Sequence, residues 1–184
     1  MVKRLKISES LSERITTGDK KAMAQFVQLT YQKAFRTAFR LTGRAEDAED
    51  ACQNAFMRFF SSLKDFKRKS SLTTWFYRIV VNSSIDIVRA RKGKGIPLDE
   101  KRSSLKEEHS PLARVLNDEL GQKIQEAITI LPPQQRAVFI LKHFNGLRLR
   151  EIAGILRISP GTAKSHLFRA IANLQESLKE YMEE

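Results

Sequence analysis

Leu149-Arg-Glu-Ile-Ala-Gly-Ile-Leu156, then Arg157-Ile-Ser159, then Pro160-Gly-Thr-Ala-Lys-Ser-His-Leu-Phe-Arg-Ala170 is the stretch from which the rest of this chain can be read. Leu149, Ile152, Ala153 and Leu156 recur at i, i+3, i+4, i+7, one face of a helix. Ala153 is small enough for a second helix to cross closely. Ser159 is a good N-cap and Pro160 a good first helical residue. At about 100° per residue, Ala163, Leu167, Ala170, Ile171, Leu174 and Leu178 of the following helix share one sector. Thr162, Ser165, His166 and Arg169 fall opposite. Two short helices meeting at a tight turn, the second with small polar residues and Arg on its outer face, form a helix-turn-helix shaped to enter a DNA major groove. The free N–H groups at the start of that second helix can also hold a phosphate. The alternative is an ordinary helical hairpin with a solvated face. Arg157 is the misfit. Glycine is usual at such a turn because a left-handed conformation is cheap there, and arginine in it costs about 1 kcal/mol.

The charge of the whole chain agrees with a polyanionic partner. Its 184 residues hold 33 Lys and Arg against 21 Asp and Glu, a formal net charge of +12, which favours association with nucleic acid. The excess is concentrated in two zones, 61–96 and 142–169, with a mildly acidic stretch over 97–126. Two contacts with one nucleic acid would look like this; two solvated surfaces are the plainer reading. An apolar fraction of 41% allows buried cores. The one cysteine, Cys52, excludes an internal disulfide framework and a Cys-cluster zinc site. The scattered His109, His143 and His166 form no metal-ligand pattern, so neither metal nor cofactor is expected. There is no run of 18 apolar residues to insert into a membrane, and MVKRLKISES lacks the apolar core of a secretory signal. A cytoplasmic protein is expected.

Nearly every segment reads as helix. Gly18-Asp19 resembles a stop followed by an N-cap, and helix is predicted over 20–42, ending at Gly43. From Ala45 to Leu63, the residues Ala48, Cys52, Ala55, Phe56, Phe59 and Leu63 lie on one face. Ser71 or Thr73 caps a helix running to about Arg91. Residues 92–117 mix Gly, Pro, Ser and charges without an apolar period and read as a tether. Helix resumes from Asp118 to Leu131, is broken by Pro132-Pro133, and returns over roughly 134–144, 149–156 and 160–181. The fold class is all-α: two small helical domains joined by a polar linker, the C-terminal one containing the helix-turn-helix. The boundaries are 1–94, 95–117 and 118–184.

The helix from Thr73 to Arg89 is apolar on two flanks. Phe76, Ile79, Val80, Ser83 and Ile87 make one; Tyr77, Val81, Ile85 and Val88 make the other. Between them runs a narrow polar stripe of Trp75, Arg78, Asn82, Asp86 and Arg89. Such a helix sits inside a bundle and shows only its stripe. Lys64, Lys67, Arg68 and Lys69 precede it. A basic loop beside an aromatic and an Asn suits single-stranded DNA: lysines neutralise phosphates, the aromatic stacks on bases and Asn reads a base edge. A packed Trp75 with a merely solvated stripe is the alternative. Glu46, Asp47, Glu49 and Asp50 open the preceding helix. The helix dipole favours acids there by about 0.3–1 kcal/mol each, which accounts for one or two. Four, followed by Gln53, Asn54 and Met57, also make a protein-facing surface.

Taken together, these segments resemble an extracytoplasmic-function (ECF) sigma factor of bacterial RNA polymerase. The resemblance is carried by Gly43-Arg-Ala-Glu-Asp-Ala-Glu-Asp-Ala-Cys-Gln-Asn-Ala-Phe56, Thr73-Thr-Trp-Phe-Tyr-Arg-Ile-Val-Val-Asn-Ser-Ser-Ile-Asp-Ile-Val-Arg89, Leu131-Pro-Pro-Gln-Gln-Arg-Ala-Val-Phe139 and the helix-turn-helix, in the family's order. It implies an initiation factor that binds core RNA polymerase and promoter DNA and has no small-molecule substrate. Asp47, Glu49, Asp50, Gln53, Asn54 and Met57 would dock on the clamp helices of the β′ subunit. Lys67, Arg68, Lys69, Ser70, Ser71, Thr74, Trp75, Arg78, Asn82, Asp86 and Arg89 would open and read the −10 element, with a flipped base near the 67–71 loop and Asn82. Arg148, Ser159, Gly161, Thr162, Lys164, Ser165, His166 and Arg169 would read the −35 duplex. The linker would lie near the polymerase active site and RNA exit path, the β subunit would be a further contact, and an anti-sigma factor would be a partner. The chain departs from the family pattern at His166, where Arg is frequent, at Ala163, where Val is usual, and at Arg148 and Arg150. These put the −35 sequence in question and leave a phosphate contact to Arg148 or Arg150.

The competing reading is a LuxR-type regulator that binds duplex DNA without core polymerase. Its helix-turn-helix has a similar Ile-Ala-x-x-Leu…Thr-x-Lys-Ser-His-Leu run, which suits His166. The N-terminal half argues against it, since it lacks the strand–helix alternation of a receiver domain. An enzyme is the third class, but no nucleophile–base pair, metal cluster or phosphate-binding Gly loop is visible.

Overall fold

The computed structural model describes residues 7–93 and 119–182, and the secondary structure among them is entirely helical. The linker expected over 95–117 lies outside the described residues, as do residue 118 and the first six residues. In chain order the helices are α1 (Glu9–Thr16), α2 (Lys20–Thr42), α3 (Ala45–Ser61), a 3-10 turn (Leu63–Asp65), α4 (Leu72–Gly93), α5 (Glu119–Ile130), α6 (Pro133–His143), α7 (Leu149–Leu156) and α8 (Pro160–Met182).

Local chemistry sets the ends. Ser8 caps α1 by accepting from the Leu11 N–H. The Asp19 carboxylate caps α2 by accepting from Lys21 and Ala22, and Gly43 closes α2 in the left-handed conformation at φ 77°. Of the two candidates for α4, Ser71 is the cap: its Oγ accepts from the Thr74 N–H at 3.1 Å. Ser159 does the same for Thr162 at the start of α8.

Two cores result. In the first, α1 to α4 surround Phe26, which stacks on Phe59 at 4.7 Å and meets Phe76 edge-on at 5.2 Å. Ala34, Ala38, Ala48, Ala51 and Ala55 are buried alongside and let the helices approach closely. Cys52 is buried among them, and burial pushes its thiol up to about 12, with the Glu49 carboxylate adding to the shift. The second core gathers Ile128, Val138, Leu141, Leu147, Ile152, Ile155, Ala170 and Leu174 from α5 to α8.

The second core also contains Leu41 of α2 and Val81 of α4. The two flanks read on α4 therefore face different cores, Phe76 and Val80 the first and Val81 the second. Polar groups hold the junction. Arg136 is buried without a carboxylate and donates to the carbonyl of Leu41 at 3.0 Å and of Leu131 at 3.2 Å, and also to that of Thr129. These carbonyls lie at the C-terminal ends of α2 and α5, where a cation is favoured. The Asn145 amide donates to the Thr37 hydroxyl at 2.9 Å, and the Arg40 guanidinium lies 3.9 Å over the Phe144 ring.

Candidate nucleic-acid interface

The loop between the 3-10 turn and α4 carries Lys67, Arg68 and Lys69, all exposed. Phe66 anchors it by stacking on Trp75 at 5.0 Å, and Trp75 also rests on Phe59 at 5.1 Å. Trp75 is thus half-buried, with one part packed and another at the surface. Arg68 takes a positive φ of 54°, a strained conformation for a side-chain-bearing residue. Beside it opens a cavity of about 460 Å³ lined by Arg68, Ser70, Ser71 and Thr73 on one side and by Ser12 and Glu13 of α1 on the other. It offers guanidinium, hydroxyl and carboxylate groups together, the mixture a nucleobase edge requires. The structure brings Arg68, Ser70 and Ser71 into this cavity and leaves Asn82 outside it, ten residues or about 15 Å along α4 from Leu72. The contribution of α1 was missed from sequence. Its signal was Ser8 as a cap, followed by Leu11 and Ile15 four apart.

The α4 stripe is placed as its periodicity predicts. Trp75, Arg78 and Asn82 are half-buried; Asp86 and Arg89 are exposed. Asp86 pairs with Arg58 of α3 at 3.4 Å. Thr74 is different. It is only 3% exposed, and its hydroxyl donates to Glu151 of α7 at 3.2 Å. Ser71 is a cap and a cavity wall at once.

On α8, Gly161, Thr162, Lys164, Ser165 and Arg169 are exposed, as is the Ser159 cap, while Ala163 and Ala170 are buried beneath. His166 is half-buried, with no hydrogen-bond partner on Nδ1. The turn into α8 is the predicted left-handed one, with Arg157 at φ 55° and ψ 45°. Arg148 is exposed, and its N–H is capped by Glu151 at 3.0 Å. Phe168, 76% exposed between Lys164 and Arg169, was not singled out from sequence. Its signal was an aromatic outside the apolar sector.

On α3, Glu49, Asp50, Gln53, Asn54 and Met57 are exposed along one face, Met57 to 64%. Asp47 is set apart from them. Its carboxylate meets the Arg91 guanidinium at 2.6 Å, with side-chain exposures of 16% and 6%.

Two family models match the chain: Sigma-70 region 2 over residues 26–94 and Sigma-70 region 4 over residues 121–174. The chain is 30% identical over 178 residues to the ECF RNA polymerase sigma factor SigW of Bacillus subtilis, covering 91% of this chain and 95% of that one. It is 31% identical over 169 residues to the ECF RNA polymerase sigma-E factor of Escherichia coli, covering 87% and 88%. The chain belongs to the ECF sigma factors. As an alternative sigma factor it directs promoter-specific transcription, binding core RNA polymerase and promoter DNA. The LuxR-type reading is not favoured, because region 2 accounts for the half that such a regulator would use otherwise. Among solved structures, the sigma factor RpoE in complex with the anti-sigma factor NepR from Bartonella quintana matches with a TM-score of 0.69 at 25% identity, over 86% of this chain and 98% of that one. Among the described residues, no helix of this sigma factor is long and apolar enough to cross a membrane.

Proposed function

We propose a division of labour among three surfaces of this sigma factor. Glu49, Asp50, Gln53, Asn54 and Met57 dock on core polymerase at the β′ clamp helices, with Asp47 at their edge. The 67–71 loop and the α4 stripe, Thr74, Trp75, Arg78, Asn82, Asp86 and Arg89, open and read the −10 element. The cavity beside Arg68 receives a base extruded from the stack. The face of α8 from Ser159 to Arg169, with Arg148, reads the −35 duplex, and Arg148 supplies the phosphate contact that His166 cannot make when neutral. Residues 1–94 and 118–184 are the two working units, the linker between them approaching the β subunit. The protein acts in the cytoplasm as a non-enzymatic initiation factor, and an anti-sigma factor holds it inactive, as NepR does not act here but a partner of that class would.

The observation that carries this reading is the exposed α3 face. A chain of net charge +12 keeps two exposed carboxylates, two amides and a methionine together on one helix, a surface that repels DNA and suits a protein partner. The test is co-elution of the purified chain with bacterial core RNA polymerase on size exclusion, with Asp50→Arg beside it. Co-elution of the parent chain and its loss in the variant are expected. Equal co-elution of both would remove α3 from the docking surface.

A further inference from the structure

The helix-turn-helix is seated on the flank of α4 that carries −10 contacts. Thr74 of that helix donates to Glu151 of α7 at 3.2 Å. Gly154 of α7 sits so close to Arg78 that a Cβ placed on it would lie 3.7 Å from Nη2. Behind them the second core runs continuously into Leu41 and Val81, and Asn145 reaches Thr37. Thr74 and Arg78 cannot face a nucleic acid while α7 covers them.

Scale makes the same point. The −10 and −35 elements are separated by about 25 base pairs, or about 85 Å at 3.4 Å per pair. A chain of this length packed as one body has a radius of gyration of about 16 Å, too small to reach both. The arrangement is also poorly satisfied. Arg78 Nε, Arg136 Nε and Asn145 Oδ1 are buried at or beside the junction without a hydrogen-bond partner, and such groups withhold stabilisation from the state that buries them. A junction of this kind holds without being hard to open.

We propose that the closed packing of α6 and α7 on α2 and α4 is an intramolecular lock: it covers part of the −10-reading face in the free sigma factor, and binding to core polymerase opens it. This rests on the assignment of the α4 stripe to the −10 element, and the test separates the two.

Spin labels are placed at Lys20→Cys on α2 and Glu176→Cys on α8, both exposed and remote from the junction. The native Cys52 is buried and takes no label. Electron–electron resonance on the full chain is expected to give one narrow short distance when free and a longer one with core polymerase. The paired variant Thr37→Val with Asn145→Ala removes both members of a junction hydrogen bond and is expected to broaden the free distribution. Quenching of Trp75, the sole tryptophan, by a short oligothymidylate reads the −10 face directly. The junction variant should bind that strand about 5- to 10-fold more tightly than the parent, a gap that closes in the core complex. A long or broad distance in the free parent, a short one kept on core polymerase, or an opened variant with unchanged strand affinity would each overturn the lock. If Trp75 is quenched in no form, the −10 assignment fails, and the distances alone decide the lock. Arg40→Met, which withdraws the cation from the Phe144 ring, replaces the paired variant should that one not fold.

Discussion

Asp47 and Asp50 are three residues apart on one acidic helix, yet they carry different loads. Asp47 is closed against Arg91, and both are largely withdrawn from water. Removing one partner of such a pair strands the other as an uncompensated buried charge, which costs about 3–5 kcal/mol. Asp50 stands exposed, and surface substitutions of that kind usually change stability by under about 0.5 kcal/mol. Asp47→Asn is therefore expected to lose about 3 kcal/mol or more in urea unfolding, while Asp50→Asn stays near the parent. Affinity for core polymerase, measured below the unfolding range, should run the other way, with Asp50→Asn the weaker binder. Equal stability of the two variants would mean that Arg91 finds another partner and that the pair is not a structural pin. Arg157 makes the complementary point. Its left-handed backbone at φ 55° is unfavourable for arginine, yet the helix-turn-helix keeps it, because the buried Ile155 and half-buried Ile158 on either side fix where the chain must turn.

At the scale of elements, α8 divides cleanly into an apolar sector that anchors it and an outer sector free to meet DNA. Arg169→Ala removes a cation from the exposed sector and should weaken −35 duplex binding while lowering the slope of log affinity against log salt by about one. Phe168→Ala removes an apolar surface that packs on little, being 76% exposed. It should leave the unfolding midpoint in place and alter preference at a thymine, whose methyl group an aromatic can meet in the major groove. Titration of duplexes differing only at that base checks this, and a uniform loss across sequences would reassign Phe168 to packing. His166→Ala and Arg148→Ala belong in the same series, and unchanged affinity in both would end the idea that one compensates for the other. What made α8 legible is that its cap, its first proline and its 3.6-residue period all lie within one short stretch. The same holds for α4, whose two apolar flanks and polar stripe are visible in sequence. The identity of the second flank's partner is not, because Val81 meets Leu41 and the α5–α8 core only through contacts distant in the chain. Nor is the pairing of Asp47 with a residue 44 positions away, nor the wall that α1 lends to the cavity beside Arg68. Periodicity reports which face is buried; it carries no information on what buries it.

For the molecule as a whole, two buried acids tie stability to alkaline pH. Burial holds the Cys52 thiol protonated up to about 12 against an ordinary 9.0, with Glu49 adding to the effect. Burial likewise raises the Tyr77 phenol above its ordinary 10.0, the neighbouring Asn145 opposing part of that rise. In the unfolded chain both groups ionise at their ordinary values, so above pH 9 the unfolded state holds fewer protons than the folded one. Stability must then fall as pH rises. For these raised values it is fully present below about 9 and lost progressively above it, at up to about 1.4 kcal/mol per pH unit for each group once its unfolded form is ionised. Cys52 lies in the first core and Tyr77 beside the junction, so the thiol acts alone between about 9 and 10 and the phenol joins it above. Urea unfolding of the parent chain and of Cys52→Ala at intervals from pH 8 to 10 separates the two. The parent is expected to lose stability from pH 9 upward and the variant, lower at the outset by the packing it forfeits, to stay nearly level until pH 10. Parallel curves over that range would show that Cys52 meets water in the native state and that the first core is looser than its packing of Phe26, Phe59 and Phe76 implies.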